Sequence, residues 1–195
     1  MSDISTMVRL VRQLLAERGQ AMLMVESDSM EPILSVGQHI QIEPVAADQL
    51  QCGDMITVVA SDALYTHRYF CTLSHKGKRF LVTRGDQPLA YDPTWTESQL
   101  LGRVVACEKR SGWLSLRRGS GRWLNAHLTH IARFENWLYD DSPLDPERFA
   151  MFETRLLGRW WRQDRWRHMI LRAMRGFWLR WSRLWVFITV IVAAT

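Results

Sequence analysis

The sequence predicts an α+β protein. A compact, mostly antiparallel β domain over residues 20–110 is preceded by an amphipathic helix within 1–19 and followed by a helical, Trp/Arg-rich extension over 111–195. Three observations carry that prediction. Short apolar or alternating runs, broken by Gly, Asp and Pro, fill the stretch from Gly37 to Glu108, and runs of strand length at regular spacing pair as an antiparallel sheet. After Ser111-Gly112 the apolar residues change to longer stretches with helical spacing. Charge divides at the same place: residues 1–110 carry 11 Lys/Arg against 13 Asp/Glu, net −2, whereas 111–195 carry 14 against 7, net +7. A chain of 195 residues has room for one domain of ordinary size plus appendages.

Taken in order, Ile4, Met7, Val8, Val11, Leu14 and Leu15 fall on one stripe of a helix over 4–18, with Arg9, Arg12, Gln13 and Glu17 largely outside it. Gly19 ends that helix, and 21–25 reads as a buried strand leading to Ser29. Further strands are expected over 39–42, 55–59, 63–70, 80–83 and 101–107. Gly53-Asp54 and Gly85-Asp86 mark tight turns between them. Helical stretches then cover 124–138, 147–171 and 174–192, the first two separated by Pro143 and Pro146.

The extension is chemically distinct from the domain before it. Nine of the ten tryptophans lie between Trp113 and Trp185, and residues 155–195 hold nine arginines against one acid, Asp164. Indoles interleaved with cations suit a bilayer interface, where the ring sits among headgroups and the cation meets anionic lipid. Anionic membrane lipid, bound through 155–195, is therefore the expected partner. The same charge attracts nucleic acid, but nucleic acid is not the expected partner. The apolar run 184–194 is 11 residues long, short of the roughly 20 that a helical span requires. Three arrangements stay open: shallow interfacial insertion, a tilted span with snorkelling Arg180 and Arg183, and docking on protein. If 174–192 spans, the arginines before the apolar run favour an internal catalytic domain, so the inner face of the cytoplasmic membrane is the expected location. Arg9, Arg12, Glu17 and Arg18 interrupt any apolar run in the first 20 residues, which reads neither as a secretory signal nor as a span.

Cys52, Cys71 and Cys107 are odd in number and lack CxxC or Cys/His metal spacing, so they read as buried thiols. No metal, nucleotide or organic cofactor is indicated. The histidines His39, His75, His127, His130 and His168 read as surface or helix residues.

One constellation carries chemistry. Ser29, within Ser27-Asp28-Ser29-Met30-Glu31-Pro32, is followed by Thr66-His67-Arg68 and then by Gly85-Asp86-Gln87-Pro88-Leu89-Ala90-Tyr91-Asp92. A serine hydroxyl attacks an amide only when a base takes its proton and a third group holds that base in the right tautomer. A histidine titrating at about 6.5 meets the first need near neutral pH, and a carboxylate meets the second.

Together, Ser29-Met30-Glu31-Pro32, Gly37, Gly53-Asp54, His67-Arg68, Thr83-Arg84-Gly85-Asp86, Asp92 and Leu101-Gly102-Arg103-Val104 resemble the type I signal peptidases of the Ser-His kind, the archaeal, endoplasmic-reticulum and sporulation-type enzymes. The resemblance covers roughly residues 20–110 and implies a largely β fold related to the LexA-type autoproteases. It makes Ser29 the nucleophile, His67 the general base and then acid, and Asp92 the orienting carboxylate, with Asp86 in reserve. The Ser29 N–H and the Ser27 hydroxyl are the implied oxyanion donors. Bacterial relatives place a lysine base where this sequence has His67, and Lys76 and Lys78 read as a hairpin tip. The implied substrate is a signal or leader peptide, bound extended beside a strand and cut after small residues. Two departures stand out: Gly37-Gln38 replaces the usual Gly-Asp, and no apolar anchor precedes Ser29. They leave open a second reading, a catalytically silent module of the same fold that binds a peptide or protein partner at the membrane.

Overall fold

The computed structural model describes residues 4–60, 63–88, 90–139 and Trp181. The expected helices over 147–171 and 174–192, His168 and the cationic stretch 155–195 lie outside the described residues, apart from Trp181. Among the described residues, no helix is long and apolar enough to cross a membrane.

Residues 4–139 fold as α+β, with one curled antiparallel sheet and two α-helices. Helix α1 (Ile4–Arg18) leads into β1 (Ala21–Met24), β2 (His39–Glu43), β3 (Met55–Val59), β4 (Leu64–His75), β5 (Lys78–Arg84), β6 (Trp95–Thr96), β7 (Leu100–Lys109) and β8 (Gly112–Ser115); helix α2 (Gly119–Tyr139) follows. The sheet order is β1-β2-β7-β3-β4-β5-β6, with β8 also paired to β7. Register shifts at Gln41/Ile42, Thr57/Val58 and Tyr69/Cys71 interrupt the ladders. Such irregularities bend a strand and raise its twist, which is how a sheet of this size curls.

The two faces of the sheet bury different clusters. On one, Ile40, Ile42, Met55, Leu101, Val104 and Cys107 pack with Val11 and Leu15 of α1, Leu124 and Leu128 of α2, and Met30, Ile33 and Leu34 from the segment after β1. On the other, Ile56, Val58, Tyr69, Leu81 and Trp95 form a smaller core. Strand β3 contributes to both, so it reads as a continuous apolar run rather than an alternating one.

Three expectations are revised. Strand β4 does not stop at Phe70 but runs to His75, where Lys76 (φ 49°) and Gly77 (φ 73°) make the two-residue hairpin turn into β5; consecutive positive φ values match the right-handed twist of the flanking strands. Ser111-Gly112 does not separate two regions, because Arg110 and Ser111 turn the chain from β7 into β8, which pairs back onto it. Residues 112–139 therefore continue the β domain rather than begin a separate extension, and the domain boundary expected at 110 gives way to the shared core of α2 and the sheet. Finally, only Cys107 is a buried thiol, and burial pushes its pKa up. Cys71 is half-buried, and Cys52 is exposed on the turn before β3.

Leu124 lies fully buried between α2 and the sheet. We expect Leu124→Ala to cost about 2–5 kcal/mol of unfolding free energy, read as a lower urea midpoint with unchanged slope. A surface helix outside the domain would give no such shift.

Candidate active site

The nucleophile candidate is held by the segment that leaves β1. Val25 donates to the Gln38 carbonyl and Gly37 donates back to the Val25 carbonyl, both at 2.8 Å, which extends the β1–β2 ladder by one residue. A turn then bonds Glu31 N–H to the Asp28 carbonyl at 2.9 Å and Leu34 N–H to the Met30 carbonyl at 3.0 Å. Met30, Ile33 and Leu34 bury their side chains in the larger core, so the turn is anchored from below while Ser29 stays half-buried above it.

Two further contacts fix the backbone of Ser29. Gln87 N–H donates to the Ser29 carbonyl at 2.8 Å. A Cβ at Gly85 would sit 2.9 Å from that same carbonyl oxygen and 2.7 Å from Pro88 Cδ. Only a residue without a side chain lets the loop after β5 approach so closely. Beneath the turn, Lys109 Nζ donates to the Ile33 carbonyl and, at 3.1 Å, to Gln38 Oε1. Burial pushes the Lys109 ammonium below its ordinary pKa.

His67 sits on β4 opposite Ile56 of β3. Strand alternation sends its ring to the face of the smaller core and sends Arg68 to the other face, toward α2. Asp92 lies between β5 and β6, and its N–H donates to the Thr83 carbonyl at 2.9 Å. His67 Nε2 is 2.9 Å from Ser29 Oγ, and His67 Nδ1 is 2.6 Å from Asp92 Oδ2. Ser27 Oγ lies 3.1 Å from Ser29 Oγ. The structure thus brings Ser29, His67, Asp92 and Ser27 to one spot from three separate stretches of chain.

Asp86 has a different task from the reserve role expected of it. Both of its carboxylate oxygens accept from Arg68, Nε to Oδ1 and Nη2 to Oδ2, each at 2.7 Å. Arg68 is 0% exposed, and its Nη1 donates to the Gly53 carbonyl at 3.0 Å, Asn125 Oδ1 at 2.6 Å and Thr129 Oγ1 at 2.9 Å. A second buried pair, Arg84 Nη2 to Glu135 Oε2 at 2.8 Å, also reaches α2. These α2 residues and Lys109 carry no motif that a single sequence displays. The one available signal was their polar character on otherwise core-facing positions.

The remaining titratable candidates lie elsewhere. Lys78 pairs with His75 at the far end of β4, eight residues and roughly 26 Å of strand from His67. His39 bonds Glu108 through Nδ1 at 2.7 Å and holds the exposed Glu108 carboxyl below its ordinary pKa. His127 stacks on Trp123 on α2. The chain matches no protein-family model, and the search of curated proteins gave no match.

The two carboxylates separate experimentally. Asp86→Ala strands a buried guanidinium, so it should cost about 3–5 kcal/mol of stability in urea unfolding. Asp92→Asn leaves no buried charge unpaired and should cost well under that. Equal losses would contradict the assignment of Asp86 to structure.

Proposed function

We propose that this protein is a serine endopeptidase of the signal peptidase I type, cleaving a signal or leader peptide after small residues. The observation that carries this reading is the unbroken contact from Ser29 Oγ through the His67 imidazole to Asp92, at 2.9 and 2.6 Å. An ionised carboxylate only accepts, so the proton of neutral His67 sits on Nδ1 and Nε2 turns its lone pair to Ser29. As Ser29 Oγ bonds the scissile carbonyl carbon, Nε2 takes the hydroxyl proton, and Asp92 stabilises the imidazolium. His67 then returns that proton to the leaving amine, and water activated by the same nitrogen releases the acyl group.

The negative oxygen of the tetrahedral intermediate needs donors, each worth about 3 kcal/mol. The Ser29 N–H and the Ser27 hydroxyl beside Ser29 Oγ are the groups we assign to it. Strand β1 lies at the edge of the sheet among the described residues. An extended peptide adds to such an edge by main-chain hydrogen bonds and leads its scissile bond toward the serine that follows. Residues 155–195, with nine arginines and one acid, would hold the enzyme on anionic lipid at the inner face of the membrane.

A fluorophosphonate probe should label the wild type and fail to label Ser29→Ala. A peptide library should be cut after small residues by the wild type alone, and Asp92→Asn should lower kcat on the order of 10³–10⁴-fold, as misorienting the histidine does in triad enzymes. Equal cleavage by wild type and Ser29→Ala removes Ser29 from the mechanism. A wild type silent to both probe and library leaves the peptide-binding module as the better reading.

Attachment is a separate matter. The full chain should float with vesicles containing anionic lipid, and replacing the nine arginines of 155–195 by glutamine should abolish flotation at low salt. Undiminished flotation of that variant would assign attachment to apolar insertion instead.

A further inference from the structure

Beyond Ser29, His67 and Asp92, the same hydrogen-bonded chain continues through two side chains that the hydrolytic reading does not use. Trp95 Nε1 donates to Thr83 Oγ1 at 2.7 Å, and Thr83 Oγ1 donates to Asp92 Oδ2 at 2.5 Å. That Oδ2 is the oxygen that meets His67 Nδ1. Thr83 is 0% exposed and Trp95 is buried beside it.

The direction of every proton in this chain is forced. An indole N–H donates and accepts nothing, so Thr83 must receive it with a lone pair. Its single hydroxyl proton is then free to point elsewhere, and the acceptor within reach is the Asp92 carboxylate. Donation from Thr83 turns Oδ2 toward His67, and that acceptor-only oxygen meets the proton on Nδ1. The opposite tautomer would set two lone pairs against each other.

Rings brace the same assembly. Tyr65 stacks on Trp95, with centroids 5.7 Å apart, and meets the His67 ring edge-on at 6.0 Å. Trp95 thus touches the site twice, once through the Thr83 hydroxyl and once through Tyr65. Main chain adds a further tie, since Asp92 N–H donates to the carbonyl of the same Thr83.

We infer that Thr83 and Trp95 are positioning residues that hold the Asp92 carboxylate in line with His67 Nδ1, so that the short Asp92–His67 bond and the orientation of the ring are kept. The consequence for rate rests on the peptidase reading; the consequence for the imidazole does not. Thr83→Val keeps the shape of the side chain and removes the hydroxyl, Thr83→Ser keeps the hydroxyl, and Trp95→Phe keeps the ring stack and removes the N–H.

The test combines nitrogen and proton NMR of the His67 side chain with kcat and KM on a cleaved peptide, each variant first checked for a native fold by circular dichroism. In the wild type the Nδ1–H resonance should lie far downfield and the Nε2 nitrogen should have the shift of an unprotonated ring nitrogen. Thr83→Val should weaken the Asp92 bond, moving the Nδ1–H resonance upfield, and lower kcat roughly tenfold with KM within about twofold. Thr83→Ser should restore both, and Trp95→Phe should give a smaller loss in the same direction, about threefold. A folded Thr83→Val with the wild-type resonances overturns the inference. If Thr83→Val does not fold, Trp95→Phe decides by the same resonances. A wild type with the expected NMR signature, altered as stated in the variants but without peptide cleavage, upholds the inference and sinks the peptidase reading.

Discussion

A guanidinium sealed from water organises the region around the proposed site. Taking a charged side chain out of water costs several kcal/mol unless a partner and a full set of hydrogen bonds replace the lost hydration. Arg68 obtains those from Asp86, the Gly53 carbonyl, Asn125 and Thr129. Its partners come from the turn before β3, the loop after β5 and helix α2. Satisfying one side chain therefore draws three other segments onto β4. Because neighbouring strand residues face opposite ways, a β4 held through Arg68 presents His67 at a fixed height on the opposite face.

The proposed nucleophile, Ser29, arrives by an independent route. Nothing in the Ser27-Asp28-Ser29 segment is a regular element, so its position depends on what buries the residues after it. Met30, Ile33 and Leu34 supply apolar anchorage, Lys109 caps the Ile33 carbonyl from beneath, and Gln87 holds the Ser29 carbonyl from the side. Gly85 sets the tolerance of this fit, since one added carbon would press on the Ser29 carbonyl oxygen. The site is a meeting of a buried strand and a clamped loop, with the more solvent-open member carrying the hydroxyl.

Two aspartates six residues apart in sequence serve opposite ends. Asp86 spends both oxygens on a buried arginine and belongs to the scaffold. Asp92 gives one oxygen to an imidazole and a threonine hydroxyl and belongs to the proposed chemistry. The same functional group takes different work because one neighbour is a permanent cation and the other is a ring able to hold or release a proton. The buried Arg84–Glu135 pair repeats the scaffold arrangement one strand away, again tying a residue beside the site to α2.

Much of this was legible in the sequence. Periodicity located α1 and the cores of β1 to β5 and β7, since alternation and helical spacing are local properties that neighbouring residues alone express. The residue types and their order singled out Ser29, His67 and a following aspartate, for which the resemblance favoured Asp92 with Asp86 in reserve. Strands β6 and β8 stayed hidden because two to four residues are too few to show a period. The polar Thr72 and Ser74 masked the continuation of β4, which its pairing with β5 sustains. Cationic and aromatic composition drew 111–139 toward the extension, while burial of Leu124 and Leu128 and capture of two arginines bind it to the sheet. By itself, then, the sequence determined the longer periodic segments and which residue types have the chemistry of a nucleophile, a base and an orienting acid. Tertiary structure alone decided which aspartate faces the imidazole and where the domain ends, because both depend on desolvated charges and packed surfaces contributed by residues far apart along the chain.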